Sequence, residues 1–351
     1  MRAPGERPTI ANIAALAAVS RGTVDRALHD RPGISPAVAH SVRQIARELG
    51  YVPNRAAKAL KFNNHPKTLV AILPVTNREY FDQVQLGVLR ARQDFKDMGI
   101  AVDVVRLDCD QETAVAETID RQVANGAAGV ALTGPDTVPV LEAIDRAVAA
   151  GVPVITVNSD VTGSRRLCFV GQDLKRSGLV AAELLSKMLN RCGRVIAVTG
   201  NLAFRAHADR IVGFRDGIAR WSTGLHVEVR EGFGTYRETF GCMQTALTQA
   251  VRDGVEVVGI YMATGVNQAC IDIVRERQLA GKVRIVTNDD SASIRAALRS
   301  REVDFTICQD PMHQGYTPLK ILSEYLLTGE RPACEWYRSP IHIVGEGNSA
   351  D

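Results

Sequence analysis

The 351-residue chain has no uninterrupted apolar stretch of the 18 or so residues that a membrane-crossing helix needs, so no membrane association is expected. Its first thirty residues carry charges throughout and lack the apolar core of a secretion signal, which makes a cytoplasmic location the expectation. No Cys-x-x-Cys pair occurs. The seven cysteines (109, 168, 192, 242, 270, 308 and 334) are scattered and odd in number, which disfavours a zinc site and a disulfide framework and suits buried thiols in a reducing compartment. Gly-x-Gly-x-x-Gly, the P-loop and Gly-x-Ser-x-Gly are all missing. His207 lies near Asp209 and His313 near Asp310, but neither pair has further metal ligands in sequence, and no nucleophile stands beside a base. Neither metal nor cofactor is expected, and an enzyme is the weaker reading.

What is present describes a soluble globular protein of two or three domains, with 46% hydrophobic and 23% charged residues. The formal charge of +3 hides an asymmetry. Residues 1–67 hold eleven Lys/Arg against four Asp/Glu, whereas the remainder holds 31 against 35. A basic head on a mildly acidic body is the footprint of a nucleic-acid-binding module.

The head reads as three short helices. Thr9 caps the first, whose apolar residues Ile10, Ile13, Ala14 and Ala17 recur at helical spacing. Ala18-Val19-Ser20 is a tight connection, with Ser20 capping a second helix from Arg21 to Leu28. Val24, Ala27 and Leu28 take one face of it, leaving Arg21, Gly22, Asp25 and Arg26 on the other. Ser35 caps a third helix with Pro36 at its first position and Gly50 stopping it. Helix, short turn and helix with a polar outer face is the plan that places a second helix in the major groove.

The whole run T-I-x-x-I-A-x-x-A-x-V-S-x-x-T-V-x-R-A-L, then I-S-P-x-V, then E-L-G-Y-V-P-N-R-A-A-K-A-L, closely resembles the DNA-binding head of the lactose/galactose/ribose (LacI/GalR) repressor family, over residues 9 to 61. The resemblance implies that Arg21, Gly22 and Arg26 sit where the recognition helix reads bases. An arginine there can bond bidentately to guanine, whereas Gly22 offers no side chain. Asp25, where the family usually has serine, is expected to pair with Arg21 or to accept from a cytosine amine. Thr9, Ser20, Thr23, Ser35 and Asn54 are the implied phosphate contacts. Residues 54–61 resemble a hinge helix that folds on DNA, too short to be stable alone, with Leu60 as the wedge that opens a base step in the minor groove.

From Lys67 onward, short apolar runs such as Leu69–Val75, Val102–Leu107, Gly129–Leu132, Val195–Thr199 and Val283–Thr287 alternate with amphipathic stretches such as Phe81–Met98, Val138–Ala150 and Leu174–Asn190. That alternation predicts doubly wound parallel sheets, and about 280 residues suit two of them. Ligands bind such sheets beyond the carboxyl ends of their strands, so two facing lobes would share one cleft. The segments Leu73–Gly87, Val152–Asp160, Val170–Asp173, Arg210–Phe214, Thr287–Asp290 and Cys308–Pro311 resemble the ribose-type (type I) periplasmic-binding-protein-like fold, the sensor of the same repressor family.

The fold class expected is therefore an all-α helix-turn-helix head (1–53), a hinge and linker (54–66) and a two-lobed α/β sensor. One lobe would comprise 67–172 with 306–333 and the other 173–305 with 334–348, crossing near 173, 305 and 334. The resemblance implies that Tyr80 and Phe81 sandwich a sugar ring while Asn158, Arg210, Asp289 and Gln309 take its hydroxyls. Asn267 is a further match in a segment (Ala263–Asn267) that departs from the usual Asn-Asp pair. Asn158 stands where aspartate is frequent, and Asp160 or Tyr236 would compensate. The partners implied are a pseudo-palindromic double-stranded DNA operator, a small sugar or polyol effector and a second copy of the chain in a homodimer, the last eight residues having no leucine heptads. A transport receptor with the same body is the other binding reading, but it would carry a signal peptide in place of the basic head.

Overall fold

The computed structural model describes residues 8–28, 32–51 and 55–349. In the head, Ile10–Leu16 (α1), Arg21–Leu28 (α2) and Pro36–Glu48 (α3) pack through Ile13, Val24, Ala27, Ala39 and Val42. Thr9 accepts from Asn12 N and Ser35 from Val38 N, both at 3.3 Å, and Ser20 Oγ accepts from Thr23 N at 3.1 Å. These bonds satisfy amides that a helix start otherwise leaves open. Arg43 Nε closes the far end of α2 by donating to the Ala27 carbonyl at 2.8 Å.

Arg55–Asn64 (α4) is a helix held by packing against the first lobe. Phe62 is buried with Ala59 beside it against the core of the first lobe, and Lys58 Nζ donates to the Leu326 carbonyl at 3.4 Å. Tertiary contacts of this kind stabilise helices too short to persist alone.

The first lobe runs β1 (Lys67–Pro74), α5 (Arg78–Phe95), β2 (Ile100–Leu107), α6 (Glu112–Ala124), β3 (Gly129–Leu132), α7 (Val138–Ala149), β4 (Val154–Val157) and β5 (Cys168–Gln172). The second runs α8 (Leu174–Met188), β6 (Gly193–Thr199), α9 (Arg205–Trp221), β7 (Leu225–Glu231), α10 (Tyr236–Arg252), β8 (Val257–Met262), α11 (Asn267–Glu276), β9 (Arg284–Asn288), α12 (Ala292–Arg299) and β10 (Phe305–Cys308). The chain returns through α13 (Pro311–Thr328) and β11 (Trp336–Ser339) to β12 (His342–Val344). Strand order is β11-β5-β4-β3-β1-β2 in one sheet and β12-β10-β9-β8-β6-β7 in the other. Every pairing is parallel except β10 with β12, an antiparallel edge. Apolar runs such as Leu69–Leu73 and Val195–Val198 are buried on both faces, as strands sandwiched between helix layers must be.

Two crossings fall later than expected. β10 belongs to the second sheet and β11 to the first, so the chain crosses near 309 and 340 rather than 305 and 334. Four-residue strands owe their sheet to a distant partner, Val286 for Phe305 and Phe169 for Trp336, which no local pattern encodes. At the junction, Gln172 Nε2 donates to Cys308 O at 3.1 Å and to Pro340 O at 2.8 Å, joining all three crossings at one side chain.

Each lobe holds one helix pair at very close approach. A Cβ on Gly315 of α13 would stand 2.0 Å from the carbonyl oxygen of Val84 in α5, and one on Gly213 of α9 would stand 1.9 Å from that of Lys175 in α8. Because the obstacle is backbone, Gly315→Ala should destabilise the sensor by at least the roughly 1–3 kcal/mol typical of overpacking. Chemical denaturation measures it, and a loss below about 0.5 kcal/mol would mean that the two helices part freely.

Candidate functional sites: the reading helix and the interlobe cleft

On α2, Val24 and Ala27 point into the core, while Arg21, Gly22 and Arg26 are exposed together on the outer face. A Cβ on Gly22 would stand 3.9 Å from Arg26 Nη2, so the guanidinium lies over the glycine. The bare Gly22 leaves that arginine room to swing toward a base. Ser20, Thr23 and Ser35 crowd the helix starts, with Ser20 and Thr23 hydroxyls 2.9 Å apart. Thr9 is exposed at the start of α1. Asn54 lies outside the described residues. Leu60 is 67% exposed on α4, opposite the packed Phe62, so it makes no use of its own lobe as a cover.

The second site lies between the lobes. It is lined from the first by Thr76, Asn77, Tyr80, Phe81, Asp110, Thr133 and Asn158, and from the second by Asn201, Phe204, His207, Arg210, Thr264 and Asp289, with Gln309 at the crossing. Most follow the carboxyl end of a strand, as open parallel sheets require. Asn77, Asn158 and Asp289 adopt left-handed backbone, with φ of 45°, 62° and 68°. Asparagine and aspartate tolerate that region best among residues with a side chain, and three such turns around one cleft mark a functional site.

Arg210 is almost fully buried, yet among the described residues its one hydrogen bond is from Nη1 to Ala263 O at 3.2 Å, and Nε and Nη2 have no partner there. A guanidinium left so is costly unless something completes it. Asp289 accepts from Gln309 Nε2 at 3.0 Å, and burial, opposed by Arg210, raises its carboxyl above the usual range. Behind these groups runs a buried polar chain. Gln314 of α13 donates to Gln309 Oε1 at 3.0 Å and accepts from the Tyr80 hydroxyl at 2.7 Å and Asn158 Nδ2 at 3.3 Å. Tyr80 is thus braced by hydrogen bonds, with Phe81 edge-on to it at 5.1 Å.

The cleft therefore gathers Tyr80, Phe81, Asn158, Arg210, Asp289 and Gln309 of the residues singled out in the sequence. It does not gather the other three. Asp160 is held in a bidentate ion pair by Arg166, with Nη2 at 2.6 Å, and faces a separate groove beside the crossings, lined by Gln172 and Trp336. Tyr236 is half exposed, stacked on Phe240 and donating to Asp272 at 2.9 Å. Asn267 sits one layer behind, its Nδ2 bonded to Asn288 O at 2.7 Å. Residues that sequence reasoning passed over are Asn77, Asp110, Asn201, His207 and Gln314. Asn201 Nδ2 bonds Asp110 Oδ1 across the cleft at 3.1 Å, and Arg205 Nη1 reaches Thr162 Oγ1 at 2.7 Å, so the lobes are latched together.

Burial, reinforced by Arg210, lowers the pKa of His207 to about 4. A histidine depressed in the folded state binds fewer protons there than when unfolded, where 6.5 applies. Stability should then fall as pH drops from 6.5 toward 4, by up to about 1.4 kcal/mol per pH unit. Urea midpoints of the wild type and His207→Gln across this range check it. Parallel curves would remove His207 as the cause.

Comparison with known proteins agrees with this geometry. Residues 69–331 match the periplasmic binding protein domain model, and residues 9–54 match that of bacterial regulatory proteins, lacI family. The HTH-type transcriptional regulator CelR of Thermobifida fusca is 25% identical over 299 residues, covering 81% of this chain and 83% of that protein. The ribose operon repressor of Haemophilus influenzae is 24% identical over 253 residues, 70% of each chain. In fold, a solute-binding protein of Burkholderia graminis solved with D-arabinose superposes with a TM-score of 0.73 at 22% identity, covering 81% of this chain and 96% of that one. These relatives are regulators and binding proteins rather than enzymes. Among the described residues no helix is long and apolar enough to cross a membrane, and no three metal-ligating side chains converge. The chain belongs, over most of its length, to the periplasmic-binding-protein-domain family and carries at residues 9–54 the domain of bacterial regulatory proteins, lacI family, which together make it a DNA-binding transcriptional regulator.

Proposed function

We propose that this chain is a cytoplasmic, dimeric repressor, without catalytic turnover, whose grip on a pseudo-palindromic operator is set by a small sugar or polyol held in the interlobe cleft. The observation that carries the sensing part is the pair of unpartnered, buried donors of Arg210 facing a cleft that also presents Asp289. Residues 1–53 read the operator, with Arg21 and Arg26 contacting base edges, and 54–66 form the hinge. Thr9, Ser20, Thr23, Ser35 and Asn54 hold phosphates.

Helix α13 supplies a mechanical link. Its first turns hold Gln314 against Tyr80 and Gln309 at the cleft, and Leu326 near its other end holds Lys58 of α4. Eighteen helical residues span about 27 Å. Ligand that pulls the lobes together acts on one end of this rod, and the hinge helix responds at the other. Such a ligand shifts the population of DNA-competent dimers only by its differential affinity for the two arrangements, and release from the operator is the expected sign.

Selection of duplexes from a random pool, followed by titration of neutral sugars into the complex, tests this reading. A palindromic consensus and sugar-dependent release are expected. Arg26→Ala should flatten preference at one base of each half-site, by about 1–3 kcal/mol, with little change elsewhere. Uniform weakening at every position would remove Arg26 from base reading.

A further inference from the structure

We infer that the cleft is built for an uncharged polyol and turns away acidic sugars, whether carboxylates or phosphates. This rests on the sensor reading above and narrows it. Among the described residues that line the cleft, two carboxylates, Asp110 and Asp289, oppose a single guanidinium, Arg210. The remaining titratable groups there do not redress the balance. His207 is neutral at physiological pH, and the Tyr80 phenol stays protonated because burial raises its pKa well above the usual value. From outside the lining, Asp108 and Glu238 lie close enough to Asp110 to push its pKa up, beneath the larger effect of burial. An incoming anion therefore meets excess negative charge from both lobes.

Hydrogen-bond roles point the same way. Arg210 presents Nε and Nη2 as donors and needs acceptors. Asp289 is an acceptor, and Gln309 and Asn77 satisfy only part of its capacity. The two do not pair with each other, since among the described residues Arg210 bonds only Ala263 O. Whatever stands between them must accept from one and donate to the other. Adjacent hydroxyls do both. A carboxylate or phosphate fits the Nε/Nη2 edge of Arg210 well but only accepts, so it would set its charge against Asp289 and bring that residue no donor beyond Gln309 and Asn77. Charge decides the matter, since an acid's remaining hydroxyls could still donate: Arg210 alone would welcome an anion, and the carboxylates of Asp289 and Asp110 outweigh it.

Matched pairs of probes on the full chain test the inference: D-arabinose with D-arabinonate, D-galactose with D-galacturonate, and D-glucose with glucose 6-phosphate. Thermal shift finds the neutral sugar that stabilises the protein, and calorimetry gives both affinities of that pair. The neutral member is expected to bind at least tenfold tighter than its acid, and Asp110→Asn should narrow the gap. An acid that binds as tightly as its neutral parent, or a gap that Asp110→Asn leaves untouched, overturns the inference while the sensor reading stands. If no sugar of either kind binds, the sensor reading itself fails and takes this one with it.

Discussion

Replacing Arg210 by leucine is expected to lower effector affinity by two orders of magnitude or more, while operator binding without effector is kept. The side chain holds two donors, Nε and Nη2, that nothing among the described residues satisfies. Hydrogen bonds to charged groups contribute about 1.5–3 kcal/mol each, and about 1.4 kcal/mol is a factor of ten, so losing both gives at least a hundredfold. A second effect adds to the first. Arg210 opposes the rise in the Asp289 pKa, and without it that carboxyl is protonated more readily and accepts less well. Calorimetric titration of the stabilising sugar into wild type and variant measures the loss, and gel shift of the operator confirms that the variant is folded. Equal affinities would mean that the ligand sits elsewhere than beside Arg210. Arg210→Lys should recover little, because an ammonium cannot present two donors along one planar edge.

The second large effect is expected at Leu60. It is 67% exposed, so Leu60→Ala should leave stability of the free protein within about 0.5 kcal/mol. On DNA the same change should weaken operator binding by about a hundredfold and abolish bending, because an apolar wedge is what offsets unstacking a base step, a matter of a few kcal/mol. Fluorescence transfer across a doubly labelled operator reads the bend, and fluorescence anisotropy reads the affinity. A variant that still bends the duplex would assign the wedge to another residue. Phe62→Ala offers the contrast: it removes a buried ring beneath α4 and should loosen the helix before DNA is present.

Most of the architecture was legible because its signals are local. Strands such as Gly129–Leu132 are apolar runs closed by helix starts, and Thr9, Ser20 and Ser35 announce theirs by chemistry. The assignments that failed depend on pairings that only the fold reveals. Asp160 was expected to compensate for Asn158, but Arg166 occupies it. Tyr236 is claimed by Asp272 across two helices, and the sheet membership of β10 and β11 is set by pairing alone. Gln314 went unnoticed for the opposite reason. In sequence it is one of several polar residues on its helix, next to His313 and near Thr317, and only the fold shows that it is fully buried, with Tyr80, Asn158 and Gln309 around it. Left-handed asparagine and aspartate at strand ends, by contrast, were visible as residue types, though their shared destination was not.

The amide of Gln172 fastens the second and third crossings to the first. Sliding one lobe sideways over the other would break both of its bonds at once, whereas a turn about that side chain keeps them. Those two bonds favour opening and shutting, like a book on its spine, over sideways sliding. What an effector sends toward the operator is then an angle, and a single side chain at the spine defines the axis about which it is measured.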